Sequence, residues 1–173
     1  MLNDQEIKEL ILKKSLVAGY IDLDIQLQPC GFDLSLDKIE TFIGRGSVDY
    51  NNEERVIATG DSLEEDSKGW FSLSPGCYRI IYNEVVSMPL NVAALARTRS
   101  TLLRNGATLG TAVWDPGYVG KSSSLLIVHN PYGIRLKKNA RVVQLIFFHT
   151  GQVEKGYSGM YQNERLGSSG TDT

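Results

Sequence analysis

The chain has 173 residues, 42% hydrophobic and 22% charged, with a formal net charge of −2. That is ordinary globular composition and one domain's worth of length, enough to bury roughly two thirds of the unfolded surface. Two function classes drop out at once: no apolar run approaches the roughly 18 residues of a membrane span, and no Lys/Arg stripe offers a surface for duplex nucleic acid.

The N-terminus lacks the basic–apolar pattern of a secretion signal. Cys30 and Cys77 are not at metal-ligand spacing, and only His129 and His149 accompany them. Two free thiols in a reducing cytoplasm is the expectation. The densest cations are Arg97, Arg99 and Arg104, then Arg135, Lys137, Lys138 and Arg141. A few focused arginines on a near-neutral chain suit a small anionic ligand better than a polymer.

In chain order, Asn3 or Asp4 can cap a helix with Glu6 completing a capping box, and Ile7, Leu10 and Ile11 share one face, so a short amphipathic helix is predicted over 4–14. The rest reads as strand and turn. Thr41–Ile43, Trp70–Leu73, Cys77–Tyr82, Val92–Ala96, Ser124–Val128 and Val142–Phe148 are rich in β-branched or aromatic residues. Ser74-Pro75-Gly76 and Asn130-Pro131-Tyr132-Gly133 are turns, with proline presetting φ and glycine permitting positive φ. Residues 44–68, acidic and polar, predict a long excursion. Residues 1–166 read as one mostly β domain, and 167–173, almost wholly Gly, Ser and Thr, as a flexible tail.

Four segments could carry chemistry. In Arg99-Ser100-Thr101-Leu102-Leu103-Arg104-Asn105-Gly106, a helical turn opening at Ser100 would aim its N–H and hydroxyl at an anion, with Arg104 close enough to fork onto a phosphate oxygen. By spacing alone a surface turn with solvated arginines accounts for it better. Trp114-Asp115-Pro116-Gly117-Tyr118-Val119-Gly120 places Asp115 at a hairpin tip, where a carboxylate partly buried beside a ring suits a general base. Without context, Asp-Pro-Gly as a plain turn is the stronger reading. Asp33, inside the apolar run Gly31–Leu36, needs a partner, because burying it alone would cost several kcal/mol. Arg141 and Gln144 are the polar members of an otherwise core-like strand, for which a structural or interface role is the default.

The order and spacing of these segments form one pattern. Gln28–Leu36 resembles the first motif of the dCTP-deaminase and archaeal dUTPase branch of the dUTPase/dCTP-deaminase superfamily. Arg99–Gly106 resembles its Arg-Ser-Ser-Leu-x-Arg-x-Gly, Gly110–Gly120 its third motif and Ala140–Leu145 its fourth. Tyr157–Gln162 with Arg165-Leu166 is similar to its C-terminal stretch. The resemblance spans 28–166.

It implies a distorted β-barrel or jelly-roll-like subunit in a homotrimer, with active sites between subunits. Each site would take dUTP with Mg²⁺ held mainly by phosphate oxygens and water, no protein residue serving as a dedicated metal ligand. By the same resemblance Arg99, Ser100, Thr101 and Arg104 hold phosphates, and the hairpin from Gly110 takes the base and sugar. Tyr118 packs on the deoxyribose, leaving no room for a 2′-hydroxyl. Gln144, Gln162 and Arg165 complete the expected substrate contacts, and Asp115 activates the water that attacks the α-phosphorus.

Family deaminases carry a proton-moving glutamate ten residues beyond the third-motif aspartate. That count lands on Leu125, or on Ile127 if aligned back from Asn130, and Lys121–Asn130 holds no acid. An aliphatic group cannot relay a proton, so dUTP hydrolysis is favoured over dCTP deamination, alone or combined with hydrolysis. A non-catalytic deoxynucleotide-binding regulator is the other alternative. Two extra residues before His129 are expected to bulge the strand at 121–128. The Gly/Ser tail lacks the aromatic that typical trimeric dUTPases place over the base.

Overall fold

The computed structural model describes residues 1–166; the tail expected at 167–173 lies outside the described residues. Helix α1 (Asp4–Lys14) forms as predicted. Asn3 accepts from the Glu6 N–H, and Glu6 reaches back to the Asn3 N–H at 2.9 Å. Ile7 and Ile11 are buried, and Ser15 in the left-handed region ends the helix.

Next come β1 (Val17–Ala18), the one-turn α2 (Leu23–Gln26), β2 (Leu27–Gln28) and the long β3 (Gly31–Phe42). The middle of the chain supplies β4 (Gly60–Ser62), β5 (Trp70–Leu73), β6 (Gly76–Tyr82), β7 (Val85–Ser87) and β8 (Val92–Thr98). After α3 (Ser100–Arg104) come β9 (Ala107–Gly110), β10 (Val119–Gly120), β11 (Ser123–Val128), β12 (Ile134–Lys137) and β13 (Arg141–His149).

The main sheet runs β8-β13-β3-β6-β11-β9, with β2 and β4 added beside β3. All of its pairings are antiparallel. Its two ends meet through Thr98 of β8, whose hydroxyl accepts from the Leu109 N–H at 2.9 Å and lies 3.3 Å from the Thr108 hydroxyl. The sheet thus curls into a nearly closed barrel. Alternation sets its inside: Val143, Leu145 and Phe147 of β13, with Ile80, Tyr82, Leu126 and Val128, are buried, while Gln144, Ile146, Leu125 and Ile127 between them are more exposed. Each such side chain contributes about 1.5–3 kcal/mol by leaving water.

Some sequence expectations need adjustment. The strand expected at Thr41–Ile43 is the far end of β3, which starts eleven residues earlier than Phe42 because its first half is buried on both faces and so lacks alternation. The 44–68 excursion is partly ordered: Ser47 bridges Val56, and β4 pairs with β3. The expected bulge at 121–128 is absent. β11 pairs without a register shift along both β6 and β9. Its Ser124 accepts from the Tyr82 hydroxyl at 2.7 Å, and Ser122, just before the strand, accepts from the Trp114 indole at 3.1 Å. The register shifts fall in β3 and β13 instead.

Candidate active site

The arm between β9 and β11 does not fold as a simple hairpin. β9 pairs with β11, and residues 111–122 form an excursion laid across two other strands. Trp114 exchanges both backbone hydrogen bonds with Ala94 of β8, and β10 pairs with β7. A tight turn joins these two contacts, the Tyr118 N–H donating to the Asp115 carbonyl at 3.1 Å. Gly117 sits there at φ +84°, and a Cβ on it would lie 2.8 Å from Gly156 Cα. Only glycine tolerates both the backbone conformation and that approach.

The turn decides which side chains face out. Trp114 and Tyr118 point inward and are buried, whereas Asp115 is exposed. The expectation that Asp115 would be partly buried is thereby corrected: Asp115 is exposed, while the rings of Trp114 and Tyr118 near it are buried. Asp115 borders a cavity of about 500 Å³ with Tyr118, Tyr157, Tyr161, Arg79 and Ile57 among its walls. Burial pushes the Tyr118 phenol well above its ordinary pKa, helped by the Glu164 carboxylate that accepts its hydrogen bond at 2.8 Å.

The C-terminal segment forms the other wall. Gln162 accepts from the Val119 N–H at 3.0 Å and donates to the Gly117 carbonyl at 2.9 Å. Arg165 borders the cavity, donating to Glu164 and to the Lys121 carbonyl at 3.3 Å.

The phosphate-type segment lies elsewhere. α3 opens at Ser100, and Ser100, Thr101 and Arg104 are all exposed. Thr101 and Arg99 line a second cavity of about 710 Å³ with Arg135, Arg141 and Trp70. Arg99, the residue that caps α3, is anchored by Asp33: its Nε and the Arg141 Nη1 both lie 3.1 Å from Asp33 Oδ2. Asp33 is 1% exposed, so the partner its burial demanded is a pair of guanidinium groups. Burial pushes its carboxyl upward against the opposing pull of those two charges.

The structure therefore brings Asp115, Tyr118 and Arg165 to one cavity, with Gln162 behind it. Arg99 and Thr101 stand at the other. Gly110 is exposed on β9 opposite Leu125, and half-buried Gln144 sits on β13 opposite Asp33 and Arg97. Neither lines either of these two cavities.

Sequence reasoning passed over two acids. Glu164 lies two residues beyond Gln162 in a stretch already singled out, so its neighbourhood was a signal. Glu84 had none. It is fully buried, accepting from the Gln26 amide and the Ser35 hydroxyl, each at 2.6 Å, and from the Ser35 N–H at 2.9 Å. With no cation in contact, burial raises its pKa, and those hydrogen bonds only partly offset it. Among the described residues, no group of three or more His, Cys, Asp or Glu side chains is placed to hold a metal ion. No helix among them is long and apolar enough to cross a membrane.

The geometry first defines a class: a nearly closed β-barrel with an external cavity between an aspartate-bearing arm and the C-terminal segment. The same fold occurs in a 2′-deoxycytidine 5′-triphosphate deaminase from Agrobacterium tumefaciens, at a TM-score of 0.63 and 19% identity. That match covers 87% of this chain and 48% of the deaminase, so the chain spans about half its length.

The sequence profile of the dCTP deaminase-like family matches residues 1–150, and the chain belongs to that family, within the dUTPase/dCTP-deaminase superfamily. It is 49% identical to a protein of Methanosarcina barkeri, the match covering 95% of this chain and 97% of the relative. A Methanococcoides burtonii protein is 48% identical, over 96% and 99% respectively. Both relatives are named probable deoxyuridine 5′-triphosphate nucleotidohydrolase.

Proposed function

We propose that this chain hydrolyses dUTP to dUMP and pyrophosphate. The observation that carries this reading is the exposed Asp115 lining its cavity, with no acid on β11 to move protons. β11 holds Leu125 opposite Arg79 and Gly110, and Ile127 opposite Cys77 and Thr108. The cavity's other carboxylate, Glu164, is engaged by the Tyr118 hydroxyl and Arg165. Near-full-length relatives named for dUTP hydrolysis support the same choice over deamination.

In this mechanism Asp115 accepts a proton from a water whose oxygen attacks the α-phosphorus. The bond from that phosphorus to the bridging oxygen breaks, and pyrophosphate leaves. Ser100, Thr101 and Arg104 hold the phosphates, with Arg99 fixed behind them by Asp33. Positioning and electrostatics carry most of such chemistry. Tyr118 packs on the sugar and excludes a 2′-hydroxyl, and the arm from Gly110 selects uracil through backbone groups. Cytosine reverses that donor–acceptor pattern, leaving buried polar groups mismatched. Arg165 and Gln144 are further proposed contacts.

The donor set fits Mg²⁺ carried on the triphosphate, since the described residues offer hydroxyls and guanidinium groups for phosphate oxygens rather than a carboxylate cage. Bound there, the ion would neutralise phosphate charge.

A homotrimer completes the site. Asp115 borders one cavity of the chain and Thr101 of α3 the other, so an arm from one copy would meet α3 of another. Leu95, Leu103, Val113 and Leu125 are exposed aliphatics available to such an interface. Free Cys30 and Cys77 accord with a cytoplasmic setting.

The test is a product assay with Mg²⁺ and, separately, dUTP, dCTP, dTTP and UTP. dUMP and pyrophosphate from dUTP alone support the proposal. Any deaminated product from dCTP would show a proton relay absent from this account. Tight dUTP binding with no turnover would favour a non-catalytic regulator.

A further inference from the structure

The arm that carries Asp115 is tied to the barrel along one edge by short backbone contacts. Between Gly110 and Val119 it exchanges backbone bonds with Ala94 of β8 at Trp114 and with Met88, just past β7, through Gly117 N–H and Tyr118 C=O. Around Tyr118 the backbone leaves Gly117 C=O and Val119 N–H in need of partners, and an unpaired backbone group away from water costs about as much as a lost hydrogen bond.

The C-terminal segment supplies both partners from one side chain. The Gln162 amide bridges Val119 N–H and Gly117 C=O, spanning Tyr118 as a neighbouring strand would. Backbone bonds extend the clasp: Asn163 N–H to Val119 C=O at 2.8 Å, Lys121 N–H to Glu164 C=O at 3.0 Å and Tyr157 N–H to Pro116 C=O at 2.8 Å. The ring between them is fixed twice more, edge-on against Tyr157 at 5.7 Å and through its hydroxyl to Glu164 at 2.8 Å.

We infer that Gln162 and Glu164 are positioning residues: Gln162 sets the turn that presents Asp115, and Glu164 locks the Tyr118 ring, thereby enforcing selection of deoxyribose over ribose. This rests on the hydrolase reading given above. It assigns Gln162 to the arm rather than to the triphosphate, because both ends of its amide are already engaged. Tyr118 can reject a 2′-hydroxyl only if its ring cannot swing aside, and the phenol's bond to Glu164 adds to the Tyr157 contact in opposing that motion. A glutamine at 164 keeps the carbonyl acceptor and should keep the lock, whereas alanine removes it.

The experiment compares Gln162→Ala, Glu164→Ala and Glu164→Gln with the unaltered chain. It measures kcat and KM for dUTP and UTP, together with amide exchange over 115–121. Gln162→Ala should lower kcat for dUTP about tenfold and leave KM within about threefold, the pattern of an interaction realised in the transition state. It should also speed exchange of both the Val119 amide, which Gln162 contacts, and the Tyr118 amide, which it does not. Glu164→Ala should cut the dUTP/UTP ratio of kcat/KM about tenfold, and Glu164→Gln should hold it within about twofold.

An unchanged ratio in Glu164→Ala, an equal loss in Glu164→Gln, or faster exchange confined to Val119 would overturn the inference. If the unaltered chain does not hydrolyse dUTP, the hydrolase reading fails by itself. The exchange of Tyr118 in Gln162→Ala and its protection in Glu164→Gln then decide the positioning role without any turnover.

Discussion

Replacing Glu84 by alanine should unfold the protein at a distinctly lower temperature and change how its stability depends on pH. Glu84 is 0% exposed and takes three hydrogen bonds. Alanine leaves the Ser35 N–H and one Gln26 amide hydrogen buried without acceptors, at about 1–3 kcal/mol each. The Ser35 hydroxyl can rotate and adds little. A loss of about 4 kcal/mol corresponds to a fall in melting temperature of about 8–16 °C for a domain this size. The change also reaches the arm, because Glu84 immediately precedes β7, which pairs with β10.

The sign of the pH effect follows from the raised pKa. An unfolded glutamate ionises near 4.5, and Glu84 in the fold ionises higher because burial disfavours its charge. The folded chain therefore keeps a proton that the unfolded chain has lost. Stability from this group is full below the unfolded pKa and is lost as pH rises through the folded one. Calorimetry at several pH values and one protein concentration should show the deficit of Glu84→Ala largest in acid and shrinking toward pH 8. A change under about 2 °C, or a deficit that grows with pH, would refute the reasoning.

Asp115→Asn should lower dUTP turnover about 10²–10⁴-fold while leaving dUTP affinity largely intact, read by stopped assays and calorimetric titration. Undiminished hydrolysis would remove Asp115 from the mechanism. Arg104→Ala removes a charge-assisted phosphate contact worth about 1.5–3 kcal/mol and should weaken dUTP binding about 10–100-fold with little change in melting temperature. Light scattering on the eluting protein should give three times the 19.2 kDa chain mass, and a clean monomer would undermine the shared-site arrangement.

By itself the sequence determined the local structure, because capping, alternation and turn chemistry act over a few residues. Helix α1 follows from Asn3, Glu6 and the Ile7/Ile11 spacing, and β5, β6, β8, β11 and β13 fall where branched and aromatic residues cluster. The ordered motifs pointed to the superfamily, and the missing acid after Asp115 was visible as Leu125. The need for a partner at Asp33 was also legible, since its cost follows from burial alone.

Tertiary structure decided the rest. The identity of Asp33's partners, Arg99 and Arg141, is set by pairings of strands far apart in sequence. Glu84 carries no local pattern, and its burial exists only because α2, β3 and the turn before β7 converge on it. Asp115 looked like the tip of a hairpin because Pro-Gly follows it after an apolar run, yet its arm lies across β7 and β8 and leaves Asp115 exposed. By resemblance Gln162 reads as a substrate contact, until the C-terminal segment folds back over Tyr118. Its two hydrogen bonds then depend on residues 117 and 119, over forty positions earlier. Such contacts are chosen by chain closure and burial, neither of which a short window of sequence contains.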